Sequence, residues 1–67
     1  MNKIDINKQY KTRSGLPVRI YAVDVDDDFY NVHGSYNKDG LCHIEAWSNT
    51  GKYDNGFKHD LDLIEVG

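Results

Sequence analysis

Leu16-Pro17-Val18-Arg19-Ile20-Tyr21-Ala22-Val23 is the stretch from which the rest of the chain can be placed. From Val18 the residues alternate, with Val18, Ile20 and Ala22 on one side and Arg19, Tyr21 and Val23 on the other. That period of two predicts a half-buried strand. Pro17 has no N–H to give to a ladder and suits the strand's first position. Just upstream, Arg13-Ser14-Gly15 reads as a type I turn closed by a glycine in the left-handed region, which sets Thr12 opposite Leu16 and Tyr10 opposite Val18. Residues 1–9, where Ile4 and Ile6 alternate with polar neighbours, read as an edge strand or an ordered arm.

Downstream, residues 29–35 and 41–48 read as the next two strands, joined through Tyr36-Asn37-Lys38-Asp39-Gly40. A slip of one residue would exchange the faces of one strand, so the side-chain pattern has to choose the register. An odd loop sets Tyr30, Val32 and Gly34 against Ala46, Ile44 and Cys42, an almost wholly apolar face. An even loop mixes apolar and polar groups on both faces, and the odd register is therefore expected. The same test across the acidic connection aligns Ala22 with Tyr30, Ile20 with Val32 and Val18 with Gly34. The expected core is then Val18, Ile20, Ala22, Tyr30, Val32, Cys42, Ile44 and Ala46. Ser48-Asn49-Thr50-Gly51 repeats the earlier turn grammar, Asp54-Asn55-Gly56 is a further turn, and residues 57–66 return as a last strand. The change of phase between Leu63 and Ile64 predicts a bulge or a short helical turn near the C-terminus. No window carries a helical period, and turn signals recur throughout. The fold expected is all-β: five to six antiparallel strands curled by their twist into a small open, SH3-like barrel.

Composition narrows the functional classes. At 67 residues (1–67) the chain is a single small domain, and a core of this size is marginal unless a metal, a disulfide or a partner chain adds to it. A homo-oligomer is expected on that ground. Cys42 is the sole cysteine and has no internal disulfide partner, and no apolar run is long enough for a signal peptide or a membrane span, so a cytoplasmic location is expected. The net charge of −3 is uneven: residues 1–20 carry +4 and the remainder −7. Such asymmetry can steer an anion to one end or simply be solvated surface.

Asp24-Val25-Asp26-Asp27-Asp28 imitates the opening of a calcium loop. Phe29 then stands where the sharp turn needs glycine, and Ser35 where a bidentate glutamate belongs. A solvated acidic turn is expected instead.

In the chosen register the face opposite the core shows three rows: Arg19, His33, His43; then Tyr21, Asn31, Glu45; then Val23, Phe29, Trp47, Tyr53. The aromatic row reads either as a second small core or as a platform that stacks a base or anchors a protein. The binding candidates are Arg19, Tyr21, Asn31, His33, His43, Trp47 and Tyr53. The two histidines could share a metal only with a third ligand, yet Cys42 points to the core and Glu45 lies two residues along, so no metal and no cofactor is expected. Cys42 and His43 are neighbours whose side chains point to opposite faces, and Ser35 lacks a nucleophile elbow. The chain is therefore expected not to be an enzyme.

Three strings also carry a resemblance: Tyr10-Lys11-Thr12-Arg13-Ser14-Gly15-Leu16-Pro17-Val18-Arg19-Ile20, then Thr50-Gly51-Lys52-Tyr53, then Asp60-Leu61-Asp62-Leu63-Ile64-Glu65-Val66. Together they resemble small uncharacterised proteins encoded by phages and prophages, which read Thr-Arg-Asp-Gly-x-Pro-Val-Arg-Ile early and close on Asp-Leu-x-x-Val. Ser14 stands here where those proteins have an acidic residue. The resemblance implies a phage origin, action in the host cytoplasm and binding to something in the host. The leading expectation is a non-enzymatic binding module that engages a host protein or sequesters a small nucleotide-like ligand, with a counter-defence role. The alternatives are single-stranded nucleic-acid binding, which overall acidity disfavours, and a structural component of a phage particle.

Overall fold

The computed structural model describes residues 3–54 and 56–66. Its strands are β1 (Tyr10–Thr12), β2 (Pro17–Ala22), β3 (Val32–Lys38), β4 (Leu41–Trp47) and β5 (Leu63–Glu65). They form one antiparallel sheet in the order β4-β3-β2-β1-β5. The all-β antiparallel architecture is thus present with five strands. The sheet stays open, with β4 and β5 as its two edges rather than closing into a barrel. Among the described residues there is no helix, and Leu63, Ile64 and Glu65 pair with β1 in one register without a bulge. Residues 57–62 are irregular rather than part of a long last strand. Asn55, in the expected turn 54–56, lies outside the described residues.

Both glycine-closed turns form. Gly15 N–H donates to Thr12 C=O (2.9 Å) and Thr12 N–H to Leu16 C=O (2.8 Å), with Gly15 at φ 99°; Tyr10 stands opposite Val18 as the turn requires. Gly51 N–H donates to Ser48 C=O (2.9 Å) and Ser48 N–H to Lys52 C=O (2.9 Å) in the same pattern. The first nine residues, as far as described, form an arm rather than a strand: Ile4 N–H donates to Asn49 C=O and Asp5 N–H to the Tyr10 hydroxyl, both at 2.8 Å.

The β3–β4 hairpin departs from the expected register. Its loop is two residues, Asp39 and Gly40, at φ 54° and 78°. Positive φ at both positions gives the type I′ turn whose twist matches the flanking strands, and Asp-Gly is among its strongest sequence signals. Val32 consequently opposes Trp47, not Ile44. A slip of three is odd, so β4 is turned over relative to the expected faces. The β2–β3 pairing slips by two, with Ile20 opposite Gly34 rather than Val32, and keeps its faces. A bulge between Ile20 and Ala22 then changes the register at Tyr21.

Energetics favour the observed phase. An indole removes about 200 Å² from water, about 5 kcal/mol at about 25 cal/mol per Å², against about 1.5–3 kcal/mol for an isoleucine. Trp47 is fully buried, while Ile44 is 68% exposed. The core is built from Ile4, Tyr10, Val32, Trp47 and Leu63, with Val18, Ile20, Val23 and Tyr53 packed around it. Of the eight residues expected inside, Val32 is fully buried, Val18, Ile20, Ala22 and Ala46 are partly buried, and Tyr30, Cys42 and Ile44 are exposed. Irregular segments cover this face. Trp47 Nε1–H donates to Leu61 C=O at 2.6 Å, and Asp62 accepts from Tyr53 N–H (2.9 Å) and His59 N–H (3.1 Å). Those bonds pin Tyr53 and residues 59–62 over the indole.

Candidate functional site

The observed register distributes the seven candidate residues over three places instead of one platform. Trp47 and Tyr53 lie on the covered side, in and against the main core, while Phe29 pairs with Tyr30 in the acidic connection, so the aromatic row forms neither a platform nor a second core. His43 is on that side too, stacked on Tyr36 with ring centroids 5.0 Å apart. Asn31 belongs to the acidic connection: its Nδ2 donates to Val25 C=O (3.0 Å) and Asp27 C=O (2.6 Å). Arg19, Tyr21 and His33 share the other, outer face. The two imidazoles therefore emerge on opposite faces, and the paired-histidine arrangement is not formed.

The acidic run is organised by hydrogen bonds to the backbone. One oxygen of Asp27 accepts from Phe29 N–H (2.9 Å) and Tyr30 N–H (2.8 Å), and those two bonds hold its carboxyl below the usual value. A carboxylate so placed nucleates a turn. Phe29 and Tyr30 meet edge to face at 4.7 Å beside it.

The outer face carries what remains of the site. Alternation from the paired rows puts Arg19, Ser35 and Ile44 on one line across β2, β3 and β4, with His33 and Ala46 on the next. The Tyr21 hydroxyl and Ser35 Oγ are hydrogen-bonded at 2.6 Å. The guanidinium of Arg19 stands 5.7 Å from the centroid of the Tyr21 ring, within cation–π range. Tyr21 is still 47% exposed, so the bond fixes the ring without hiding it. Ser35 itself is buried beneath these side chains. The result is an oriented aromatic, a cation and a large exposed aliphatic side by side.

Sequence reasoning placed Arg19, Tyr21 and His33 on this face and missed Ile44 and the part played by Ser35. The signal that would have found them is Asp39-Gly40, since the two-residue turn alone turns β4 over. Two recesses lie elsewhere. One of about 570 Å³ runs between the arm and the acidic connection, lined by Ile4, Val23, Asp24 and Asn31 among others. One of about 410 Å³ lies beside β1, lined by Tyr10, Lys11, Pro17 and Val66 among others. Neither includes Arg19, Tyr21, His33 or Ile44. No helix among the described residues is long and apolar enough to cross a membrane. Compared with protein-family models, curated proteins and solved structures, the chain matches none.

Proposed function

We propose that the chain is a non-enzymatic binding module that engages a protein partner through the outer face of its sheet, around Arg19, Tyr21, His33 and Ile44. The observation that carries this reading is the Tyr21–Ser35 bond of 2.6 Å, which immobilises an exposed aromatic ring beside a guanidinium, on a face that also exposes Ile44. Tyrosine and arginine anchors held in one geometry lose little entropy on binding, and they dominate interface energies. A strand surface suits a macromolecule better than a small ligand, which buries most of its own surface in a concavity. The resemblance to phage-encoded proteins supports a host protein of the cytoplasm as the partner.

A nucleotide-like ligand would use the same pair, with an anion on Arg19 and a base on Tyr21. One experiment separates the readings: capture from host lysate with the wild-type chain and with Arg19→Ala/Tyr21→Ala, followed by mass spectrometry of retained proteins and released small molecules. A protein retained by the wild type and lost with the double variant, with the fold intact by circular dichroism, supports the proposal. Equal retention by both overturns the site. Loss of a small molecule alone moves the reading to ligand sequestration. A polynucleotide whose affinity falls steeply with salt would replace it with strand binding.

A further inference from the structure

The two edges of the sheet are protected very differently. β5 is three residues long, carries Glu65 within 3.4 Å of Lys8 Nζ, and is covered on its outward side, where Leu63 N–H donates to Gly51 C=O at 2.8 Å. β4 is seven residues long and holds no lysine, no proline and no bulge, the devices that usually keep an edge from pairing. In a two-residue hairpin the pair next to the loop is hydrogen-bonded, and bonded pairs alternate from there. Leu41, His43, Glu45 and Trp47 therefore bond to β3, while Cys42, Ile44 and Ala46 turn N–H and C=O outward.

We propose that β4 pairs antiparallel with β4 of a second copy about a two-fold axis at Ile44, joining two five-stranded sheets into one. The outward-facing set is symmetric about that residue. Ile44 would form a bonded pair with its own copy, and Cys42 with Ala46 of the other copy, for on the order of six backbone hydrogen bonds. His43 would then stand in the closely spaced, non-bonded position opposite Glu45 of the other copy, twice over, so that an imidazole N–H meets a carboxylate across the seam. A one-residue shift in register would set outward-facing residues opposite ones already bonded to β3 and lose the ladder. Ile44 belongs both to this edge and to the outer face, so the binding reading is tested at Arg19 and Tyr21 and the pairing through the β4 backbone, and either can fail without the other.

The geometry makes a register-specific test. Across the axis the Ile44 Cα atoms would lie about 5.5 Å apart, within the reach of a disulfide. The native Cys42 residues would be about four positions out of line, about 14 Å apart. Under mild oxidation, Ile44→Cys in a Cys42→Ser background should give a covalent dimer as the main species, and the wild type should not. Light scattering after size exclusion should give twice the chain mass for the wild type at tens of micromolar. Ile44→Pro removes an outward N–H and leaves the β3 ladder whole; it should elute as a monomer with an unchanged circular dichroism spectrum. A monomeric wild type across that range, a dimeric Ile44→Pro, or wild-type crosslinking through Cys42 as ready as that of the Ile44→Cys variant overturns the proposal. The crosslinking arm holds whether or not the proline variant folds.

Discussion

The two faces of this sheet come from one alternation of side chains, yet they serve opposite ends. On the covered face every large side chain at the centre has something above it: Ile4 from the arm, Val23 from the acidic connection, Tyr53 from the segment pinned by Asp62. On the outer face Tyr21 and Ile44 stay exposed, and polar groups are satisfied within the sheet by the Tyr21–Ser35 bond. Among the described residues the irregular segments roof one side of the five-stranded sheet. The contrast separates the face that carries the stability from the face proposed for recognition, and substitution should tell the two apart.

The largest effect should come from Trp47→Ala. Removing a fully buried indole costs about 3–5 kcal/mol, and it frees the Leu61 carbonyl that Nε1–H satisfies. Urea denaturation should show a midpoint lowered by most of the domain's stability, or no folded baseline. Ile44→Ala, the same kind of truncation on the outer face, should change stability by less than about 0.5 kcal/mol. Comparable losses from the two would show that the faces have been assigned the wrong way round.

Gly34 sharpens the contrast from the backbone. A Cβ built there would lie 2.2 Å from the Arg19 carbonyl oxygen, so β2 and β3 approach too closely for any side chain. Gly34→Ala must push the strands apart beside the bulge, at about 1–3 kcal/mol. Because Arg19 rides on the displaced strand, partner affinity should fall along with the melting temperature. A variant that melts earlier and binds unchanged would detach the outer face from the geometry of the bulge.

How much of this was legible follows from particular residues. The alternation from Val18 to Tyr21 and the two Gly-closed turns are local signals, and they placed the start of β2, its pairing with Tyr10 and the 48–52 turn. Beyond Tyr21 the bulge reverses the expected phase, and Val23, expected on the outer face, packs against the core. Alternation does not settle the β3–β4 register, because β4 offers an apolar set in either phase: Cys42, Ile44 and Ala46, or Leu41 and Trp47. Counting apolar residues favours the first set, whereas the fold is decided by their size and by the turn. Trp47 outweighs Ile44, and Asp39-Gly40 enforces the two-residue loop. Arg19, Tyr21 and His33 survived as a group because β2 and β3 slipped by an even number. His43 and Trp47 left it because β4 slipped by an odd one. The bulge at Tyr21 carries no glycine or proline mark and had no sequence signal.

Tyr21→Phe probes the outer face alone. Losing the bond to Ser35 should cost about 0.5–1.5 kcal/mol, while the ring and its contact with Arg19 remain. Binding should weaken by more than the ring's persistence alone would suggest, since the hydroxyl is what fixes its orientation. Affinity for the captured partner, measured by calorimetry on the wild type and the variant, reads this directly. Unchanged affinity would mean the ring needs no fixing and that immobilisation is not what makes this face a binding surface.

The smallest effect belongs to the covered face and is silent at neutral pH. Burial, reinforced by the Glu45 carboxylate, raises the Tyr53 hydroxyl above its ordinary value of 10.0. A group whose folded pKa exceeds its unfolded one contributes stability that is complete below the unfolded value and drains as pH rises through the folded one. The wild type should therefore lose stability above about pH 10, and Tyr53→Phe, with no proton to give up, should lose less over the same interval. The urea midpoint measured at intervals from about pH 9 to about pH 11 gives the comparison. Parallel curves for the two proteins would place the Tyr53 hydroxyl in water, and Tyr53 and His59 would then not roof the sheet as tightly as their hydrogen bonds to Asp62 imply.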